Sequence, residues 1–438
     1  MNPVKKSPVV SVKVILPFIL VTSLFALWGF ANAVTDPMVQ AFKKVLELSN
    51  SQAAWVQMAF YGGYFCMALP AALFVRKYSY KTGVLIGLGL YALGALLFYP
   101  AATYEQFWFF CFGLYILTFG LAFLETTANP YILAMGSPET ATRRLNLAQA
   151  FNPVGLIAGL LVAKFFVLHN LQSDNISNFE ALSAAKKAFI RTSDLMIIRN
   201  PYVILGLVVI GLMVLIGINN MPQSKDEDGM PKVSETFNKL KRNKVYLAGV
   251  FCQILYVGAQ IMCWTYIYQY AESREILSDT AANYQLVAFL LFMVGRAVGT
   301  YLLRFINAGK LLFYVSCFGL IAALGSIFLE GITGLYCLVS ISLFMSIMFP
   351  TIYGIALTNL KDDELKIGAA GLVMAIVGGA LMPKLQGIII DLGGVGVRDI
   401  KIAGVTEVAF SFILPALCFL FIAIYGFWIN KLYLQKRV

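Results

Sequence analysis

Charge is scarce in this chain. Only 13% of its 438 residues are Asp, Glu, Lys or Arg and 60% are hydrophobic, whereas a soluble domain has roughly 25% charged and 45–50% apolar residues. A mean hydropathy of +0.78 excludes an ordinary soluble domain, so each Asp or Glu inside an apolar run is a helix end or a deliberate placement. The seven cysteines (Cys66, Cys111, Cys252, Cys263, Cys317, Cys337, Cys418) all fall inside apolar runs. No close Cys/His grouping accompanies them, so neither a disulfide framework nor a zinc site is expected. The apolar run after Lys5, Lys6 and Lys13 is followed by no small-residue cleavage site and outlasts the apolar core of a signal peptide, so it reads as a retained helix. A formal charge of +11 without a compact basic domain does not point to nucleic acid.

What fills the chain is apolar runs. A membrane-crossing helix needs about 20 mainly apolar residues, and twelve runs qualify: 14–38, 53–75, 82–100, 106–134, 145–168, 201–219, 245–270, 281–303, 311–329, 333–359, 367–390 and 406–429. The even count puts both termini on one side. With the termini inside, the inner segments hold 21 Lys and Arg, the outer segments hold nine, and Lys164, Arg296 and Lys384 lie within spans. That bias follows the positive-inside rule and makes both termini cytoplasmic. The outer loop 169–200 is expected to carry a short surface helix around Phe179 to Ile190. Residues 221–244 read as a polar cytoplasmic linker between two six-helix bundles, 1–220 and 245–438.

The halves echo one another. "ALFVRKYSYKTG" ends the second span and "GTYLLRFINAGK" the eighth; Pro130 and Pro350 hold similar places in the fourth and tenth. "FNPVGLIAG" in the fifth and "AIVGGALMP" in the eleventh are both interrupted by small or imino residues. Weak repeats joined by a linker suit a secondary transporter with a central binding site. The expected fold class is therefore an all-α membrane protein of twelve transmembrane helices.

Polar residues inside these spans are costly, roughly 2.5–3.5 kcal/mol for a charge at the centre of a helix on insertion scales. In "LWGFANAVTDPM", Asn32 and Asp36 are four apart and share a face; an interfacial place for Asp36 is the competing reading. In "LTFGLAFLETTANPYILAM", Glu125 and Asn129 share a face near mid-span, where an interface cannot explain the carboxylate. A structural ion pair remains the alternative. "LNLAQAFNPVG" repeats amides at Asn146, Gln149 and Asn152, with interhelical hydrogen bonding as the plainer role. In the seventh span Gln253, Tyr256, Gln260 and Trp264 form a stripe that Tyr268 continues. Aromatic faces beside amides suit a sugar, which needs both a stacking surface and hydrogen-bond partners. Asn283 could reach the same cavity. Arg296 and Arg304 are expected to form a cytoplasmic gate or anchor. Lys384 is either a counter-charge to Asp36 or Glu125 or a lysine snorkelling to the surface.

The stretches "NAVTDP", "FLETTANPY", "RRLNLAQAFNPVG" and "YVGAQIMCWTYIYQY" closely resemble the fucose–proton symporter group of the major facilitator superfamily, which includes bacterial glucose/galactose transporters. The resemblance runs from Val12 through nearly the whole chain and implies the major facilitator fold. It implies that Asp36 and Glu125 take part in proton coupling and that Gln149 and Asn152 lie around the sugar. Two features depart from the group: Ala33 follows Asn32 where a second asparagine stands, and Lys384 has no counterpart. Glucose or galactose is therefore as admissible as fucose.

The expected function is import of a hexose or deoxyhexose coupled to protons by alternating access. A proton on Glu125 would remove the cost of closing the site around sugar, which would lie between Gln149 and Asn152 on one half and Gln253, Gln260 and Trp264 on the other. Sodium held by Asp36 and Asn32, an uncoupled facilitator and a non-transporting sugar receptor are the alternatives. No enzyme activity, bound cofactor or obligate protein partner is expected beyond the sugar, the cation and the bilayer, and the place is a bacterial inner membrane.

Overall fold

The computed structural model describes residues 8–46, 50–167, 170–172, 182–221, 233–274, 278–360, 362–390, 392 and 400–435. Among them, twelve helical segments are long and apolar enough to cross a membrane. The first six are Ile15–Thr35, Ala59–Lys77, Tyr80–Tyr104, Phe107–Ala134, Pro138–Val167 and Ala184–Ile218. The others are Lys244–Thr265, Asn283–Leu302, Ala308–Phe328, Gly331–Ala356, Glu364–Ile390 and Glu407–Gln435. The one sheet among the described residues is a pair of two-residue antiparallel strands, Lys401–Ile402 and Val405–Thr406.

Helix starts follow local chemistry. Ser79, Asn243, Asn307 and Thr406 each accept a backbone N–H of the first turn they precede, filling donors the helix itself leaves open. Breaks fall where the sequence places them. The fifth span is interrupted at Ala150–Phe151 and resumes at Asn152 with proline in its first turn, a position where the missing N–H of Pro153 is harmless. The eleventh tightens to a 3-10 turn at Ala375–Val377 just before Gly378 and Gly379.

Two expectations need correction. The sixth span does not begin at residue 201: one helix runs from Ala184 to Ile218 with Pro201 inside it. Part of the expected surface helix is its first turns, while residues 173–181 lie outside the described residues. The early turns are anchored by Asp194, fully buried, whose Oδ1 accepts the Gln172 N–H at 2.9 Å. Within the linker, Val233–Arg242 is helical, with Thr236 and Leu240 buried and the helix packed on Asp362–Met374. The Lys239–Glu364 pair at 3.3 Å joins them, though the exposed lysine makes it weak.

By internal contacts the chain forms two compact units. One comprises Val12–Tyr131 and Phe151–Glu227; the other comprises Met1–Ser11, Ile132–Ala150 and Asp228–Val438. In the first, the first span packs along Asn152–Val162 and the third along the sixth, where the Phe98 and Tyr202 rings stack with centroids 3.8 Å apart. Glycine makes the first of these contacts possible. A Cβ on Gly155 would meet the Ala26 carbonyl oxygen at 1.8 Å, and one on Gly29 would meet that of Asn152 at 2.1 Å. In the second unit the seventh span is central, touching the tenth, eleventh and twelfth. The segment Ile132–Ala150 also belongs here, its helix Ala141–Gln149 seated on the eighth and tenth spans.

Arg144 shapes that segment. Fully buried, it donates Nε–H to the Ile132 carbonyl at 2.7 Å and Nη2–H to that of Leu133. Its Nη1 reaches the carbonyls of Ser137 and Val9, both at 3.3 Å, and Thr140 Oγ1 at 3.1 Å. The planar fork thus fills carbonyls that the end of the fourth span leaves without helical partners.

Two outcomes follow for stability. Gly155→Ala should lower the apparent melting temperature of the purified protein, because overpacking costs roughly 1–3 kcal/mol. Gly211→Ala, with nothing within 4 Å of the added Cβ, should not; equal curves for both would mean the two helices do not interlock at Gly155. Arg144→Lys, which cannot match the fork, should lose at least the ~1.5–3 kcal/mol of one charge-assisted hydrogen bond, read as a lower melting temperature, while exposed Arg304→Lys serves as the unchanged reference.

Candidate sugar and proton site

In the unit 12–131 and 151–227, the polar side chains gather around Glu125. The carboxyl is 3% exposed and neither oxygen has a hydrogen-bond partner among the described residues. Asn129, one turn on and fully buried, donates its side-chain amide to the Glu125 carbonyl at 3.0 Å. Tyr64 of the second span, 1% exposed, lies within electrostatic reach of Glu125 and accepts the indole N–H of Trp28. Asn32 donates to the Trp28 carbonyl at 3.3 Å. The first, second and fourth spans are thereby linked through Trp28, Tyr64 and Glu125. Asn152 donates its side-chain amide to the Phe25 carbonyl at 3.3 Å. The side chain of Asp36 lies outside the described residues.

In the other unit a second polar chain forms. Arg296, 3% exposed, donates Nη1–H to the Gln149 carbonyl at 3.1 Å and, more weakly, to Gln149 Oε1 at 3.4 Å. It lies over the Phe292 ring at 4.8 Å and within electrostatic reach of Tyr256. The Tyr256 hydroxyl and both polar atoms of Gln253 are fully buried and have no hydrogen-bond partner among the described residues. Phe349 packs edge-on to Tyr256 and stacks on Tyr353. Asn146 donates to Thr142 O at 2.9 Å and to Thr351 Oγ1 at 3.3 Å, which fits the plainer interhelical role.

Other residues of the expected set sit apart. Trp264 donates to Ser342 Oγ at 3.2 Å and packs edge-on against Phe289 and Phe292, so its indole is engaged in helix packing. Gln260 is half-buried; Asn283, Arg304 and Lys384 are exposed. Exposure of Lys384 fits snorkelling. The side chain of Tyr268 lies outside the described residues. Tyr64 was not expected: it belongs to the aromatic run "FYGGYF", where spacing does not separate it from its neighbours. A cavity of about 1270 Å³ flanks the first, fifth and sixth spans. Its walls, such as Leu27, Val154 and Leu212, are apolar apart from Ser23, Asn170 and Asn200, so it suits hydrocarbon better than a sugar.

Comparison with known proteins fits this geometry. Residues 18–383 match the Major Facilitator Superfamily. The L-fucose-proton symporter of Haemophilus influenzae is 54% identical, with 95% of this chain and 96% of that protein covered. The glucose/galactose transporter of Brucella abortus is 32% identical, with 92% of each covered. The crystal structure of the Escherichia coli fucose:proton symporter superposes with a TM-score of 0.84 at 33% identity, covering 95% of this chain and 98% of that one. A proton:xylose symporter, XylE, at 12% identity and a TM-score of 0.63 over 93% and 94% of the two chains, bears on the fold alone. The chain is an all-α, twelve-helix membrane protein of the major facilitator fold and belongs, within that superfamily, to the L-fucose–proton symporter family.

Proposed function

We propose that this protein imports a hexose or deoxyhexose together with protons by alternating access. The observation that carries the reading is Glu125: an enclosed carboxyl with no cationic partner among the described residues, beside Asn129 and Tyr64, in a chain 54% identical to an L-fucose-proton symporter. Burial penalises an unpaired charge so strongly that the group neutralises instead. A proton taken up when the site is wet therefore permits closure, and its release leaves a charge that resists closing. Linkage requires only that sugar and proton favour the same state.

Asn32, Asn152, Gln149, Gln253 and Tyr256 are the sugar-contacting groups in this reading. The side-chain atoms of Gln253 and the Tyr256 hydroxyl have no hydrogen-bond partner among the described residues, as groups awaiting sugar hydroxyls require. Arg296 acts as a gate by holding Gln149, and its hydrogen bonds must exchange when sugar engages that amide. Asp36 joins Glu125 in coupling. The charge bias along the sequence places both termini in the cytoplasm, with bundles 1–220 and 245–438 joined by the linker 221–244, in a bacterial inner membrane.

Purified protein in liposomes, offered labelled fucose, glucose and galactose with imposed proton or sodium gradients, tests the reading. Uphill uptake should follow the proton gradient; a sodium requirement at fixed pH would replace the proton, and counterflow without accumulation would make the protein a facilitator. Glu125→Gln should abolish accumulation while sparing counterflow, and undiminished uphill uptake would remove Glu125 from coupling. Gln149→Ala and Asn152→Ala should each raise the sugar Kd about tenfold, equivalent to ~1.4 kcal/mol; an unaltered Kd removes that residue from the site.

A further inference from the structure

The apolar cavity beside the first, fifth and sixth spans lies outside the polar site, and all its lining residues belong to the unit 12–131 and 151–227. Its walls are uncovered: Val154, Phe166, Ile204, Val208 and Leu215 line it and remain exposed. Gly211 stands on the wall with nothing within 4 Å of an added Cβ. From Asn200 to Leu215, both in the lining, the sixth span advances about 22 Å at 1.5 Å per residue. That exceeds the ~15 Å of hydrocarbon in one leaflet, half the bilayer core. The groove is therefore long enough for an extended acyl chain.

Polar groups gather where the spans end. Of the three polar side chains in the lining, Ser23 donates its hydroxyl proton to the Leu20 carbonyl at 2.8 Å. Asn170 lies just past the π-helical turn Ala163–Val167 and donates to the Phe165 and Phe166 carbonyls at 3.0 and 3.2 Å. Asn200 precedes Pro201, and beside it Arg199 is held in place. The guanidinium lies 4.4 Å from the Tyr99 ring centroid, and its Nε–H donates to Asn200 Oδ1 at 3.3 Å. The Arg199 Nη groups and the Asn200 amide N–H have no acceptor among the described residues.

The charge at this end has one sign. Carboxyls bonded along the same helix are engaged elsewhere: Asp194 accepts the Gln172 N–H at 2.9 Å, and Glu105 accepts the Thr192 hydroxyl. Among the described residues Arg199 has no ion-pair partner. Lys164, exposed beside the Phe165 ring, adds a second cation. Free donors and positive charge at one end of an apolar slot match a phosphodiester above a hydrocarbon tail, because the guanidinium fork suits phosphate oxygens. An ammonium headgroup would meet two cations and no carboxylate, so the complementary lipid carries net negative charge. A helix from a second copy would bring apolar side chains and leave the Arg199 donors unanswered.

We propose that this groove binds one anionic glycerophospholipid, its acyl chain laid along the first, fifth and sixth spans and its phosphate held by Arg199 and Asn200. The assignment depends neither on the sugar nor on the coupling ion.

Native mass spectrometry of the purified full-length protein, titrated with dioleoylphosphatidylglycerol, dioleoylphosphatidylethanolamine or dioleoylglycerol, tests it. One phosphatidylglycerol should bind more tightly than either of the others. Arg199→Gln should weaken that complex about tenfold, the scale of one charge-assisted hydrogen bond, and leave dioleoylglycerol binding unchanged. Gly211→Trp, which fills the slot from an open position, should weaken all three, with a melting curve like the parent's showing that it folds. Equal affinity of the parent for the three lipids, or equal phosphatidylglycerol affinity in the parent and Arg199→Gln, would overturn the proposal and leave ordinary annular lipid. Conversion of a dimer to a monomer by Gly211→Trp, with no loss of bound lipid, would overturn it in favour of a second copy on this face.

Discussion

Water is absent from the bilayer core, so a polar atom there must find its partner within the protein. That constraint organises this molecule. Arg144 meets it by closing on carbonyls at the end of the fourth span, Asn129 and Asn146 by bonding carbonyls one turn back, and Trp28 by reaching Tyr64. Against this background the unpartnered atoms stand out. Glu125 in one unit, and Gln253 and Tyr256 in the other, carry enclosed polar atoms that no hydrogen bond within the described residues fills.

The two units solve the problem with parallel chemistry. In one, an indole, a phenol and a carboxyl follow one another across three helices. In the other, a carboxamide, a guanidinium and a phenol do so. One chain ends on a carboxyl and the other is centred on a guanidinium.

Much of this was legible in the residues because lipid leaves a strong imprint on sequence. Twelve spans stand out through length and apolarity, and Glu125 through its distance from either end of its span. The start of the sixth helix was not, since Pro201 reads as a boundary although a proline's fixed φ is compatible with a helix and its missing N–H removes one bond. Arg144 was counted as a topology charge, and sequence does not tell a guanidinium facing the cytoplasm from one folded back on a helix end. Helical spacing singles out Gln253, Tyr256 and Trp264 alike; the first two carry buried polar atoms without a partner among the described residues, while Trp264 turns toward Ser342 and two phenylalanines. Periodicity gives a face, and neighbours decide what the face meets.

The interlocked glycines of the first and fifth spans carry one further meaning. Where main chain touches main chain, there is no layer of side chains to rearrange, so Asn32 and Asn152 ride on helices held in mutual register. A ligand that engages both meets groups already arranged, and little ordering entropy is lost on its arrival. Selectivity among sugars differing at one hydroxyl depends on such preorganisation, because a loose pair of amides would adapt to either epimer.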